Sequence, residues 1–193
     1  MTTIYFIRHA TPDRTSGTDA TFPLSAKGLA DVPLVTAFLQ DKAIDVVLSS
    51  PYKRSYDTVA DFAKSAGLEI EVIDDLRERA VAHERKTNEE FFAYAANQWK
   101  DFSYTLPGGE CLAEVQARNI AAIKDVLVRH KGKNIAVGTH GTALSTIILY
   151  YDNTYGFDDW LVMPMPWAVK MTFDGDTCTS IEKTDLFTQQ KEA

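Results

Sequence analysis

Little in this chain points to an unusual environment. Only two cysteines, Cys111 and Cys178, occur in 193 residues. They are too few for a disulfide framework and read as reduced thiols of a cytoplasmic protein. No apolar run approaches the ~18 residues of a membrane span. The start, Met1-Thr2-Thr3-Ile4, has no basic stretch ahead of a long apolar one, so no secretory signal is expected. Basic residues are the minority: 20 Lys and Arg stand against 27 Asp and Glu, a formal net charge of −7. That balance argues against nucleic acid as a partner, because phosphate backbones attract basic faces. It argues more weakly against any phosphorylated ligand, an inference that depends on where the cations gather. Ten glycines and 45% apolar residues exclude collagen-like and disordered chains. Repeats and low-complexity segments are missing, and the polar tail from Gln189 to Ala193 is expected to fray. The length suits one domain, residues 1–193, with a sizeable core.

What is present is a set of short apolar runs. Ile4 to Ile7, Ile44 to Leu48 and Ile135 to Val137 are continuous rather than alternating, as in parallel strands buried on both faces. Glu69 to Ile73 alternates and is expected nearer an edge. Helical patterns fall between them. Ser25 reads as an N-cap before a stripe of Leu29, Leu34, Phe38 and Leu39; Pro33 inside that stripe should kink the helix or delay its start. Tyr52 to Ala66 presents Tyr56, Val59, Ala60 and Ala63. Glu110 to His130 presents Leu112, Val115, Ile120, Ile123, Val126 and Leu127, and Thr142 to Tyr151 forms the last strong helix. Asp174-Gly175 reads as a turn between strands Trp167 to Phe173 and Cys178 to Lys183. The alternation predicts an α/β fold, a three-layer α/β/α sandwich with a mostly parallel central sheet. Residues 79–109 fit no crossover. They hold a helix near Asn88 to Trp99 and the aromatics Phe91, Phe92, Tyr94, Trp99, Phe102 and Tyr104. The segment reads as an inserted lid over the strand ends, or equally as a peripheral helix with an aromatic core face.

Each buried strand runs into polar residues. The first leads to Arg8-His9, the second to Ser49-Ser50-Pro51 with Arg54 close behind, and the third to Thr139-His140-Gly141. Ligands of open parallel sheets bind outside the carboxyl ends of strands. Arg8, His9, Arg54 and His140 should therefore converge if these strands are neighbours. Helix starts at Pro51 and Gly141 would add backbone N–H donors that favour an anion. Taken singly, a histidine after a strand is usually a hydrogen-bonded loop residue and an arginine on a helix a surface charge. His83 and His130 keep that reading. The coincidence of four such residues on one sheet edge points to a site.

These residues also carry a resemblance. Arg8-His9-Ala10 resembles the Arg-His-Gly signature of the histidine phosphatase (phosphoglycerate mutase-like) superfamily. Ser49 to Ser55 with Thr58, Leu76-Arg77-Glu78-Arg79, Pro107-Gly108-Gly109-Glu110 and Thr139-His140-Gly141 resemble its further blocks, in the family's order. The resemblance implies that His9 is the nucleophile that becomes phosphorylated. It likewise implies that Arg8, Arg54 and His140 bind the phosphoryl group and that Glu78 is the proton donor. Glu78 can also be read as a mere partner of Arg77 or Arg79. The residue types suit the chemistry. A neutral imidazole splits a hard hydrolysis into two displacements, and arginine forks match phosphoryl oxygens. Glu78 would need to be protonated in the first step, through burial or through the charge of the substrate. With arginines as the clamp and no acidic cluster of ligand spacing, neither metal nor cofactor is expected.

Departures from the family pattern bear on the substrate. Ala10 replaces the usual glycine, Pro12 a hydroxyl residue and Cys111 a serine, while Ala80-Val81-Ala82-His83 stands where a Gly-x-Trp-Glu-Gly stretch is common. Thr15, at an asparagine position, could still donate a hydrogen bond. Thr15, Gly141 and Arg14 are the candidate substrate contacts, with Lys53 a further cation nearby. The leading expectation is a metal-independent phosphomonoesterase acting on a small phosphorylated molecule. A phosphoglycerate mutase-type transfer is the alternative enzyme, and a non-catalytic phospholigand-binding module the alternative class. The lid aromatics suggest a partly apolar leaving group, although core packing explains them as well. A membrane partner is not expected, and a homodimer is left open.

Overall fold

Strand order sets side by side the strand ends that lead to Arg8, His9, Ser50 and His140. The computed structural model describes residues 1–81 and 87–188; His83 and the 189–193 tail lie outside them. The chain forms β1 (Thr2–Arg8), α1 (Ala26–Gln40), β2 (Val46–Ser49), α2 (Lys53–Ala66), β3 (Ile70–Val72), α3 (Asn88–Lys100), α4 (Leu112–Arg129), β4 (Asn134–Thr139), α5 (Gly141–Tyr151), α6 (Phe157–Val162), β5 (Trp167–Asp174) and β6 (Thr177–Thr184). The six strands make one sheet in the order β3-β2-β4-β1-β5-β6. The first four run parallel, and β5 and β6 are antiparallel. Helices cover both faces, so the chain is an α/β protein with a mostly parallel central sheet. The alternating Glu69–Ile73 run is indeed the edge strand β3.

Side-chain alternation along β1 divides the core. Ile4 and Phe6 pack with Leu48, Val137, Ile123 and Ile147 beneath α4 and α5. Tyr5 and Ile7 pack with Val47, Val35, Phe38 and Phe62 beneath α1 and α2. All six apolar positions expected to face inward from α4 are buried. Two other stripes need correction. Leu29 of α1 is 61% exposed and Tyr56 of α2 is 39% exposed; the buried faces use Val32 and Val35 in α1, and Ser55, Thr58 and Phe62 in α2. Nor does Pro33 delay α1, which starts at Ala26 behind the Ser25 cap. Its missing N–H leaves only the carbonyl of Leu29 short of a donor, on a face that water reaches.

Helix α1 is docked on the strand extension that follows His9. The Thr11 carbonyl accepts from the Ser25 N–H and Oγ, each at 3.0 Å. Ser25 Oγ in turn accepts from the Gly28 N–H at 3.1 Å. A Cβ at Gly28 would run into that same Thr11 carbonyl oxygen. Gly28→Ala is therefore expected to cost about 1–3 kcal/mol, as overpacking does, read as a lower urea midpoint. An unchanged midpoint would refute this account of the docking.

Candidate active site

The parallel register brings the strand ends together. Arg8 lies opposite Thr139 and Ser49 opposite Gly138. The His9 N–H then bonds the Thr139 carbonyl, and the Ser50 N–H the Gly138 carbonyl, each at 3.0 Å. Arg8, His9, Arg54, Glu78 and Gly141 line a single cavity of about 870 Å³. The His140 ring lies 5.2 Å from that of His9, edge to face. The four strand-end residues expected to converge do so, together with Glu78.

Hydrogen bonds assign the His9 tautomer. Nδ1 lies 2.7 Å from the Ala10 carbonyl. A carbonyl only accepts, so Nδ1 carries the proton and Nε2 keeps a bare lone pair. That lone pair receives the Arg54 Nε–H at 3.2 Å. Thr58 fixes the turn from behind: its Oγ1 accepts from the Ala10 N–H at 3.0 Å and donates to the Arg54 carbonyl at 2.7 Å. One threonine thus ties His9 to the helix that carries Arg54.

His140 is fully buried. Its Nε2 lies 2.7 Å from Ser50 Oγ, which accepts from the Tyr52 N–H at 3.2 Å. Its Nδ1 is buried without a partner. Burial, then the positive charge of Arg54, push both His9 and His140 well below the ordinary histidine value. Both are therefore neutral in the folded chain near pH 7. The unfolded chain takes up these protons below about pH 6.5 and the folded chain withholds them, so stability is complete above that pH and is lost as pH falls through it. Each histidine contributes up to about 1.4 kcal/mol per pH unit. Urea denaturation at pH 5.5 should accordingly show stability about 2–3 kcal/mol below that at pH 7.5; equal stability at the two pH values would show that the histidines are not buried neutral.

The arginines are held in distinct ways. Arg8 donates to the carbonyls of Met163 and Pro164, beyond α6. Burial lowers its guanidinium to about 10, and its Nε has no partner. It lies across the start of α5, where a Cβ at Gly141 would come within 3.1 Å of Arg8 Nη2; the glycine makes room for the cation. Arg54 is buried, donates to the Asp19 carbonyl and pairs with the Asp19 carboxylate at 3.1 Å.

Glu78 occupies a place that the sequence did not suggest. Its carboxylate accepts from the N–H groups of Thr142 (3.0 Å), Ala143 (3.1 Å) and Arg79 (2.8 Å). Two of the α5 donors expected to meet an external anion, the Thr142 and Ala143 N–H groups, are thus occupied by this carboxylate, whose charge suits a helix N-terminus. At α2 the Lys53 N–H is taken by the Ala20 carbonyl at 3.0 Å.

Of the remaining candidates, Arg14 lines the cavity. Thr15 does not: it is exposed, and its hydroxyl donates to Asp13 at 2.6 Å. Lys53 pairs with Asp57 at 2.8 Å. Among the lid aromatics, Phe91 and Phe92 line the cavity. Trp99 packs against the core and Phe102, and Tyr94 is buried, accepting from Gln98 Nε2 at 3.0 Å.

Several cavity residues were not anticipated. Asp19 orients Arg54. Arg79 is buried, donates to Gln98 Oε1 and lies over the rings of Phe91 and Tyr94. Trp160, Leu161 and Met163 come from α6 and its C-terminal end. Glu110 of the Pro-Gly-Gly-Glu motif joins this framework. It bonds Arg118, Arg77 and the Ala80 N–H. Burial opposes its charge, but these partners hold it below the ordinary glutamate value. Among the described residues no group of three or more His, Cys, Asp or Glu side chains is placed to hold a metal ion, and no helix is long and apolar enough to cross a membrane.

Fold and site together define an α/β protein whose parallel strands deliver paired histidines and arginines to one cavity floor. The chain belongs to the histidine phosphatase superfamily, branch 1, whose pattern matches residues 4–175. It is 33% identical over 114 residues to the bifunctional protein Rv2228c of Mycobacterium tuberculosis, a match covering 54% of this chain and 30% of that protein. With the metal-independent phosphoserine phosphatase of Arabidopsis thaliana it shares 32% over 111 residues, covering 53% of this chain and 47% of the relative. The matched region therefore spans less than half the length of either protein. Among solved structures, YhfR of Bacillus stearothermophilus superimposes with a TM-score of 0.77 at 23% identity, over 92% of this chain and 94% of that one, a likeness of fold.

Proposed function

We propose that the chain is a phosphomonoesterase that hydrolyses small phosphorylated metabolites through a phosphohistidine at His9. The observation that carries this reading is the unprotonated Nε2 of His9, which accepts from the Arg54 Nε–H, at the floor of a cavity shared with Arg8, Arg54 and Glu78. Nε2 attacks phosphorus, the ester P–O bond breaks, and the leaving oxygen takes a proton from Glu78. Water then attacks phosphorus, gives its proton to Glu78, and the P–N bond breaks to free His9 and release phosphate. Phosphoryl transfer asks mainly for position and for stabilised charge on the equatorial oxygens. Arg8, with its unpartnered Nε, and Arg54 supply that charge without a metal. His140 adds a donor at Nδ1 when the Ser50 hydroxyl donates to its Nε2. It is neutral at rest and gains charge as the phosphoryl group arrives. Three backbone N–H groups hold the Glu78 carboxyl at the start of α5, beside the cavity floor.

Residues 79–109 are read as the insertion that roofs this site. Cys111 and Cys178 are free thiols, which suits a reducing cytoplasm. The test is phosphate release from a panel of phosphate monoesters in EDTA, with isomerisation of 3-phosphoglycerate followed in parallel. The expected result is free phosphate and a rate indifferent to chelation. Isomerisation without phosphate release would assign a mutase, inertness with tight phosphate binding a binding module, and loss in EDTA restored by a divalent ion a metal-dependent mechanism.

A further inference from the structure

The cavity has two unlike ends. Its floor is cationic, whereas one wall is built from Phe91 and Phe92 of α3 and Trp160 and Leu161 of α6. The rings touch one another: centroids lie 5.6 Å apart for Phe91 and Phe92, 6.3 Å for Phe91 and Trp160, and 6.2 Å for Phe92 and Trp160. Phe157 stacks on Trp160 at 5.6 Å. Two separate elements thus contribute to one aromatic surface. It is not a sealed core, since Phe92 is 47% and Leu161 45% exposed. Exposed apolar side chains gathered at the mouth of a polar site mark a place that a ligand covers.

Size and charge narrow that ligand. A cavity of about 870 Å³ lies toward the upper end of the roughly 300–1,000 Å³ that holds drug-sized molecules. The described acidic lining residues are already engaged, Asp19 with Arg54 and Glu78 with backbone N–H groups, which disfavours a cationic leaving group.

We propose that this wall is the leaving-group subsite and that it selects phosphate monoesters of apolar, ring-bearing alcohols over those of small polar ones. The inference rests on the phosphatase reading and is tested separately from it. Turnover is compared for 2-phenylethyl phosphate, ethyl phosphate and phosphoserine, all alkyl esters, so that a phenolate's ease of departure does not enter. One further methylene in an apolar pocket changes specificity about 10-fold or more. Accordingly kcat/KM for the phenylethyl ester should exceed both others by at least about tenfold, chiefly through KM. In Phe92→Ser and in Trp160→Leu the phenylethyl-to-ethyl ratio should collapse toward one. Equal kcat/KM values in the wild type, or a proportional fall of both substrates that keeps the ratio, would overturn the proposal. Calorimetry with 2-phenylethylphosphonate and ethylphosphonate, which cannot be hydrolysed, provides the second readout. Tighter binding of the former without turnover of any ester would sink the phosphatase reading and keep the subsite; equal affinity would remove the subsite whatever the turnover.

Discussion

Replacing His9 with alanine is expected to abolish phosphate release from a generic aryl phosphate, with a fall of about 10⁴-fold or more, the scale of losing a covalent nucleophile. The fold should survive. The His9 side-chain bonds are to the carbonyl of its own neighbour and from Arg54, which keeps its ties to Asp19. Removing a buried imidazole that is neutral at rest leaves no uncompensated charge behind. Circular dichroism and thermal unfolding at pH 7.5 should therefore resemble the wild type while turnover disappears. Substantial turnover in His9→Ala would mean that phosphorus is attacked by water or another group, and that the imidazole at the floor only binds.

The second large effect is expected for Arg54→Lys. Charge is kept and shape is lost, which separates the two contributions. Arg54 uses one nitrogen on His9 and the other two on the Asp19 backbone and carboxylate. A lysine has a single point of donation and cannot stay tied to Asp19 while also holding a phosphoryl oxygen. Losing one preorganised donor to developing charge typically lowers kcat about 10²–10³-fold, and a loss of that size is expected here. A change within about threefold would show that a positive charge suffices. It would leave the fork geometry without a role.

The structure also shows which parts of this site a sequence can disclose. Continuous runs such as Ile4–Ile7 and Ile135–Val137 are legible because a parallel strand is buried on both faces, whatever its neighbours. Residues immediately after such runs are then placed by topology alone, which is why Arg8, His9 and His140 converge as expected. What depends on contacts between distant segments was not legible. Arg77, Glu78 and Arg79 stand side by side in the chain. Only the packing of Gln98, Tyr94 and Phe91 decides that Arg79 is the buried cation and that Arg77 turns outward to Asp75 and Glu110. The position of Glu78 on the first turn of α5 arises in the same way. Helix α6 is six residues long with one buried side chain, Trp160, too short to show a period. Yet Met163 and Pro164, just past it, accept from Arg8. Thr15 illustrates the converse: its residue type permits a donor, but a local turn with Asp13 claims the hydroxyl.

Net charge proved a coarse guide for a related reason. The acidic excess is spread over the surface, whereas the cavity gathers Arg8, Arg14, Arg54 and Arg79 around two acidic side chains. Those two are already engaged, Asp19 with Arg54 and Glu78 with backbone donors. The global sign disfavours an extended polyanion; the local arrangement favours a small one held by direct contacts.

Trapping the intermediate tests the central claim most directly. The wild-type chain is mixed briefly with an isotopically labelled phosphate monoester, quenched in alkali and digested, and the modified peptide is sequenced by mass spectrometry. The account predicts one phosphoryl group on the His9 peptide, stable in alkali and lost in acid, and absent from His9→Ala. A phosphoryl group on any other residue, or none during active turnover with the chemical step rate-limited after transfer, would contradict it.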